Sequence, residues 1–104
     1  MENVEYNVSV SDAALAMLDA HVEFLARVSP SAATRLMDEA LDDIASLSNN
    51  PQRYPAYISE FVSPNRYRKM LTAKRYLVLY EIDSKNVYVD YIVDCRSDYG
   101  WLIR

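Results

Sequence analysis

The 104-residue chain contains one glycine, one cysteine and one histidine, and each scarcity closes off a class of function. With Gly100 alone, there is no glycine-rich loop to cradle a phosphate and no dinucleotide fingerprint. Cys95 has no second thiol for an internal disulfide or a zinc cluster. No apolar run approaches the ~20 residues that span a bilayer. The opening Met1-Glu2-Asn3-Val4-Glu5 is acidic, where a secretory signal is basic and then apolar. No repeat or low-complexity tract is present. The expectation is one cytoplasmic domain over residues 1–104, large enough for a single core.

What the chain does have is an uneven distribution of charge. Its net charge is −4. Residues 1–50 carry nine acidic side chains against Arg27 and Arg35, whereas residues 51–104 carry nine basic against six acidic. Five of those nine cations (Arg66, Arg68, Lys69, Lys74 and Arg75) fall within ten positions. An acidic first half and a basic second half would direct a polyanion to one side. Solvated acidic helix faces would give the same count.

Hydrophobic periodicity divides the chain. Val4, Tyr6 and Val8 alternate with polar residues, as on one face of a strand. Ser11 is an N-cap for a helix carrying Leu15, Leu18, Val22, Leu25 and Val28 at helical spacing, with Ala14 and His21 beside them. Ser29-Pro30 ends it and starts a second helix, whose stripe is Leu36, Met37, Ala40, Leu41, Ile44 and Leu47. Asn49-Asn50-Pro51 stops that helix, and the proline-rich residues 51–66 read as a loop. Three runs rich in β-branched and aromatic residues follow: Tyr67–Leu71, Tyr76–Ile82 and Val87–Cys95. A hairpin around Asp83-Ser84-Lys85-Asn86 joins the last two. Strict alternation on the last strand sets Val87, Val89, Tyr91, Val93 and Cys95 under the helices. It turns Tyr88, Asp90, Ile92, Asp94 and Arg96 outward, on a face too polar to be core. The class is α+β: an N-terminal strand, a two-helix antiparallel hairpin, then a three-stranded antiparallel sheet packed on the helices with one open face.

This element order resembles the RelE/ParE superfamily of type II toxin–antitoxin toxins, the group that includes plasmid-stabilisation proteins. The likeness is residue-specific in Leu77-Val78-Leu79-Tyr80, Pro51-Gln52-Arg53-Tyr54-Pro55 and Val93-Asp94-Cys95-Arg96. In ribosome-dependent nucleases of that superfamily, cations on the open sheet face and C-terminal residues help cut mRNA without metal or cofactor. A base takes the ribose 2′-OH proton, cations stabilise the phosphorane, and an acid protonates the leaving oxygen. The resemblance implies catalytic roles for Arg96, Tyr99 and Arg68, with Lys69, Lys74 and Arg75 on RNA. Each has a structural counterpart reading: an ion pair to Asp94 or Asp98 for Arg96, base stacking or edge cover for Tyr99, edge-strand protection for Arg68 and Lys69. His21 lies on a helix face and is read as packing or solvated.

Two positions depart from the nuclease pattern. Leu77 stands where those members carry an arginine, and Asp98 where the YoeB-type carry a histidine. The resemblance therefore implies an endoribonuclease acting on ribosome-bound mRNA, with a ParE-like inhibitor of DNA gyrase, or an inactive antitoxin-binding module, as alternatives. In each case the partner is a cognate antitoxin, and no membrane is involved.

Overall fold

The computed structural model describes residues 5–60 and 63–95. Strand β1 (Asn7–Val10) leads into helix α1 (Asp12–Ala26) and helix α2 (Pro30–Ala45). Two 3₁₀ turns, Ser46–Ser48 and Pro51–Arg53, precede strands β2 (Arg68–Thr72), β3 (Tyr76–Asp83) and β4 (Asn86–Asp94). Local chemistry sets the helix starts. Ser11 Oγ accepts from the Ala14 N–H at 3.0 Å, and Ser29 Oγ from the Ala32 N–H at 3.3 Å with Pro30 opening the helix. Each satisfies a donor that the first helical turn leaves free. Asn50, at φ 47°, turns the chain out of the helical layer, a left-handed conformation that asparagine tolerates better than most residues.

The sheet has four strands in the order β1-β4-β3-β2, one more than expected. The additional strand is β1, which pairs parallel with β4 (Val8 opposite Val87, Val10 opposite Val89). A parallel pair needs a long crossover, and the helical hairpin begins it. The main core lies between helices and sheet: Ala14, Leu18, Leu36, Ala40, Ile44, Leu47, Met70, Tyr76, Val78, Tyr80, Val87, Val89 and Ile92. Thr72 Oγ1 donates to Asp43 Oδ2 at 2.7 Å and Tyr80 Oη to the Pro51 carbonyl at 2.6 Å, so α2 and the 3₁₀ turn are tied to the strands. Burial pushes the Tyr80 phenol up to about 12, which keeps it a donor at neutral pH. Among the described residues, no helix is long and apolar enough to cross a membrane.

Two expectations are corrected. On α1 the buried residues are Ala14 and Leu18, while Leu15 is exposed at 41%; Val28, past the helix end at Ala26, is exposed at 76%. The inward stripe is rotated toward the smaller residue, because an alanine lets the helix approach the sheet closely. On β4, alternation breaks at Asp90. Leu79 faces Tyr91 while the next residue, Tyr80, faces Val89, so Asp90 is an extra residue, a β-bulge. Beyond it the faces exchange. Ile92 joins the helix-side core, and Tyr91 turns to the other side with Leu77, Leu79, Tyr57 and Tyr67. That second face is not the wholly polar surface expected. It holds a small core of its own, in which Tyr67 and Leu79 are buried.

Candidate functional site

The helix-free side of the sheet is where the resemblance puts a target. By strand parity it presents Lys69 and Leu71 from β2, Leu77, Leu79 and Glu81 from β3, and Tyr88 and Tyr91 from β4. Leu71 is 56% exposed. Part of the face is covered by the segment before β2, which folds back along that strand. Ala56 bridges Arg68, the Tyr57 N–H donates to the Tyr67 carbonyl at 2.8 Å, and the Lys69 N–H donates to the Pro55 carbonyl at 3.0 Å.

This segment is anchored by a polar cluster built on the bulge. Tyr67 Oη donates to Asp90 Oδ2 at 2.8 Å, and its ring meets Tyr91 edge-on at 5.8 Å between centroids. Arg66 lies 5.0 Å over the Tyr67 ring and pairs with Glu81 at 3.5 Å. The bulge is held from behind by Ser11, whose N–H donates to the Val89 carbonyl at 2.9 Å and whose Oγ donates to the Asp90 carbonyl at 3.4 Å. The helix cap and the cluster thus share one anchor. Burial raises the Glu81 carboxyl above its ordinary range, and a hydrogen bond to Asp90 adds to the rise while the Arg66 guanidinium opposes it. Burial likewise raises the Tyr67 phenol, reinforced by its bond to Asp90, so Tyr67 stays protonated and is no base.

The cations that lie together in sequence are dealt to three places. Arg66 and Lys69 are on the helix-free face. Arg68 shares the side of Met70 and Tyr80, and its guanidinium donates to the carbonyls of Gln52 at 3.1 Å and Tyr54 at 2.6 Å. It holds the 3₁₀ turn to the sheet. Lys74 and Arg75, in the β2–β3 turn, border a cleft against α2 lined also by Leu25, Arg35, Leu36, Glu39 and Tyr76. Arg75 pairs with Asp94 at 3.4 Å. The structure therefore does not bring Arg68, Lys69 and Lys74 to one surface. Arg96, Asp98 and Tyr99 lie outside the described residues. His21 packs between layers, with Nε2 2.9 Å from the Ile92 carbonyl and its ring 4.9 Å from that of Tyr76.

Sequence reasoning missed the Arg66–Tyr67–Glu81–Asp90 cluster. The signal was the run Tyr91-Ile92-Val93, three apolar residues together, which strict alternation with Asp90 cannot accommodate.

The family model for the ParE toxin of the type II toxin–antitoxin system parDE matches residues 8–99, and the chain belongs to that family. A solved chain from a chromosomal ParDE toxin–antitoxin system of P. aeruginosa shares the fold. It has a TM-score of 0.72 at 15% identity, over 86% of this chain and 96% of the other. No curated protein gives a significant sequence match.

Proposed function

We propose that this ParE-family toxin acts by binding a protein target, DNA gyrase, through the helix-free sheet face, and that a cognate antitoxin neutralises it in the cytoplasm. One observation carries the reading: the charges on that face balance. Among the described residues, Arg66 and Lys69 are matched by Glu81 and Asp90, with Leu71, Leu77, Tyr88 and Tyr91 around them. A surface that grips RNA needs an excess of cations to neutralise phosphates, and one that cuts it needs cations at the developing phosphorane. Aromatic and aliphatic side chains with few net charges suit the centre of a protein–protein contact. Leu77, in the place of an arginine, fits the same reading.

The test is a gyrase supercoiling assay with purified toxin, run beside primer extension on translating mRNA. Inhibited supercoiling with intact mRNA is the expected pair of results. Cut mRNA with unaffected gyrase would overturn the reading in favour of a ribosome-associated endoribonuclease, in which Arg96 and Tyr99 would carry the chemistry. An Arg96→Ala variant that lost mRNA cutting while remaining folded would assign that residue.

A further inference from the structure

The cleft between α2 and the β2–β3 turn lies on the helical side of the sheet, away from the proposed target face. It has a volume of about 350 Å³ and is lined by Leu25, Ala32, Arg35, Leu36, Glu39, Ala73, Lys74, Arg75 and Tyr76. That volume is within the usual range of small-molecule sites, roughly 300–1,000 Å³.

The lining sorts by chemistry. Leu36 and Tyr76 are buried and give an apolar floor, with Leu25 and Ala32 beside them. Arg35 comes from α2, and Lys74 and Arg75 come from the turn. Arg75 is held by Asp94 at 3.4 Å. Neither Arg35 nor Lys74 has an ion pair or hydrogen bond to a described residue. Two uncommitted cations therefore converge from separate elements on one concavity, in a half-molecule whose helices are otherwise acidic.

The hairpin turn between β2 and β3, closed by the Arg75 N–H donating to the Thr72 carbonyl at 3.2 Å, fixes where Lys74 stands. Ala73 and Lys74 both have positive φ, 50° and 65°, where glycine or asparagine is the ordinary choice. A lysine held this way costs on the order of 1–3 kcal/mol, and it lines the cleft.

Glu39 narrows the ligand class. A carboxylate among cations repels a simple anion, yet it suits a molecule with hydroxyl donors next to its phosphate. Acidic side chains take ribose hydroxyls in this manner in dinucleotide sites.

We propose that this cleft binds a phosphate monoester carried on a nucleoside. Arg35 and Lys74 take the phosphate, Glu39 takes the ribose hydroxyls, and the base lies on the apolar floor. The planar guanidinium supplies paired donors and the ammonium a point charge, the usual division of labour on phosphate. The monoester could be a free mononucleotide or the 5′-phosphorylated end of a nucleic acid. The proposal does not depend on which target the toxin inhibits.

The full chain is titrated with adenosine 5′-monophosphate while backbone amide NMR signals are followed. Adenosine, inorganic phosphate, and an oligonucleotide with a 5′-phosphate or a 5′-hydroxyl serve as parallel probes. Saturable shifts are expected at Arg35, Glu39, Ala73 and Lys74 with the monophosphate and not with adenosine. Arg35→Gln and Lys74→Asn should each weaken binding about tenfold or more. Both positions are exposed, and asparagine tolerates positive φ, so the variants should keep the wild-type spectrum elsewhere. Glu39→Gln should weaken the nucleotide and leave inorganic phosphate unchanged or tighter. If the 5′-phosphorylated oligonucleotide binds more tightly than the mononucleotide, and its 5′-hydroxyl form does not, the source is a chain end. If the mononucleotide is preferred, it is a free nucleotide. Absent shifts at these four residues, equal shifts with adenosine, or affinity untouched by both cation variants would overturn the proposal.

Discussion

The phenol of Tyr67 donates to Asp90 Oδ2 at 2.8 Å across a gap of 23 residues, joining the chain just before β2 to the one extra residue of β4. Tyr67 is almost wholly buried, at 1% exposure, so the contact fixes both the covering segment and the bulge. A hydrogen bond to a charged group contributes roughly 1.5–3 kcal/mol. Tyr67→Phe should therefore cost about 2 kcal/mol in urea unfolding and speed hydrogen exchange at the Tyr57 amide. Unchanged stability would show that the segment is held by apolar packing alone.

Glu81 makes the fold sensitive to pH. Its carboxyl titrates above the ordinary value of 4.5 in the folded chain, chiefly through burial, so the folded state holds the proton more tightly than the unfolded one. The resulting stabilisation is complete below the unfolded pKa and is lost as pH rises through the folded one. The contribution of Glu81 to stability should fall as pH rises above about 4.5, so the difference between wild type and Glu81→Gln should change over that window. Parallel curves for the two proteins would place the titration elsewhere.

The β2–β3 turn is built without glycine. At Ala73 the backbone is left-handed, with φ 50°, and removing the Cβ relieves that strain. Ala73→Gly should gain about 1 kcal/mol, net of the greater freedom of the unfolded chain. In a chain of this size that corresponds to a Tm rise of roughly 4–8 °C by calorimetry. A lowered Tm would mean the turn carries no strain.

Arg68 separates a structural role from a catalytic one. Its guanidinium donates to the carbonyls of Gln52 and Tyr54, so Arg68→Ala should destabilise the chain by about 1–3 kcal/mol. Growth arrest should weaken only as far as folded protein is lost, and Arg68→Lys should restore part of both. Full stability with abolished toxicity would restore the catalytic role that the resemblance implies.

Features that depend on a few neighbouring residues were legible in the sequence. The Ser11 cap, the Ser29-Pro30 break, the three C-terminal strands and the hairpin at Asp83–Asn86 each follow from local chemistry, and each is present. The directions of side chains were less legible. One inserted residue at Asp90 exchanged the faces of everything after it; the run Tyr91-Ile92-Val93 marks a break in alternation, but the bulge's place is set by its partner strand. That Arg68 and Lys69 take opposite faces was legible, and Lys74 and Arg75 stand apart from both in the turn. Adjacent strand positions point oppositely, and a turn carries its residues around the sheet edge. The proposed cleft was invisible because Arg35 and Glu39 meet Lys74 only once α2 packs on the strands.

The pairing of β1 with β4 has a consequence for synthesis. Asn7–Val10 pairs in the sheet with Asn86–Val89, and β4 is an inner strand of the sheet. A nascent chain emerging from the ribosome cannot close this layer until residues 86–89 have been made, since β3 and β1 have nothing between them before then. The four-stranded sheet is consequently completed only when β4 enters between its two neighbours.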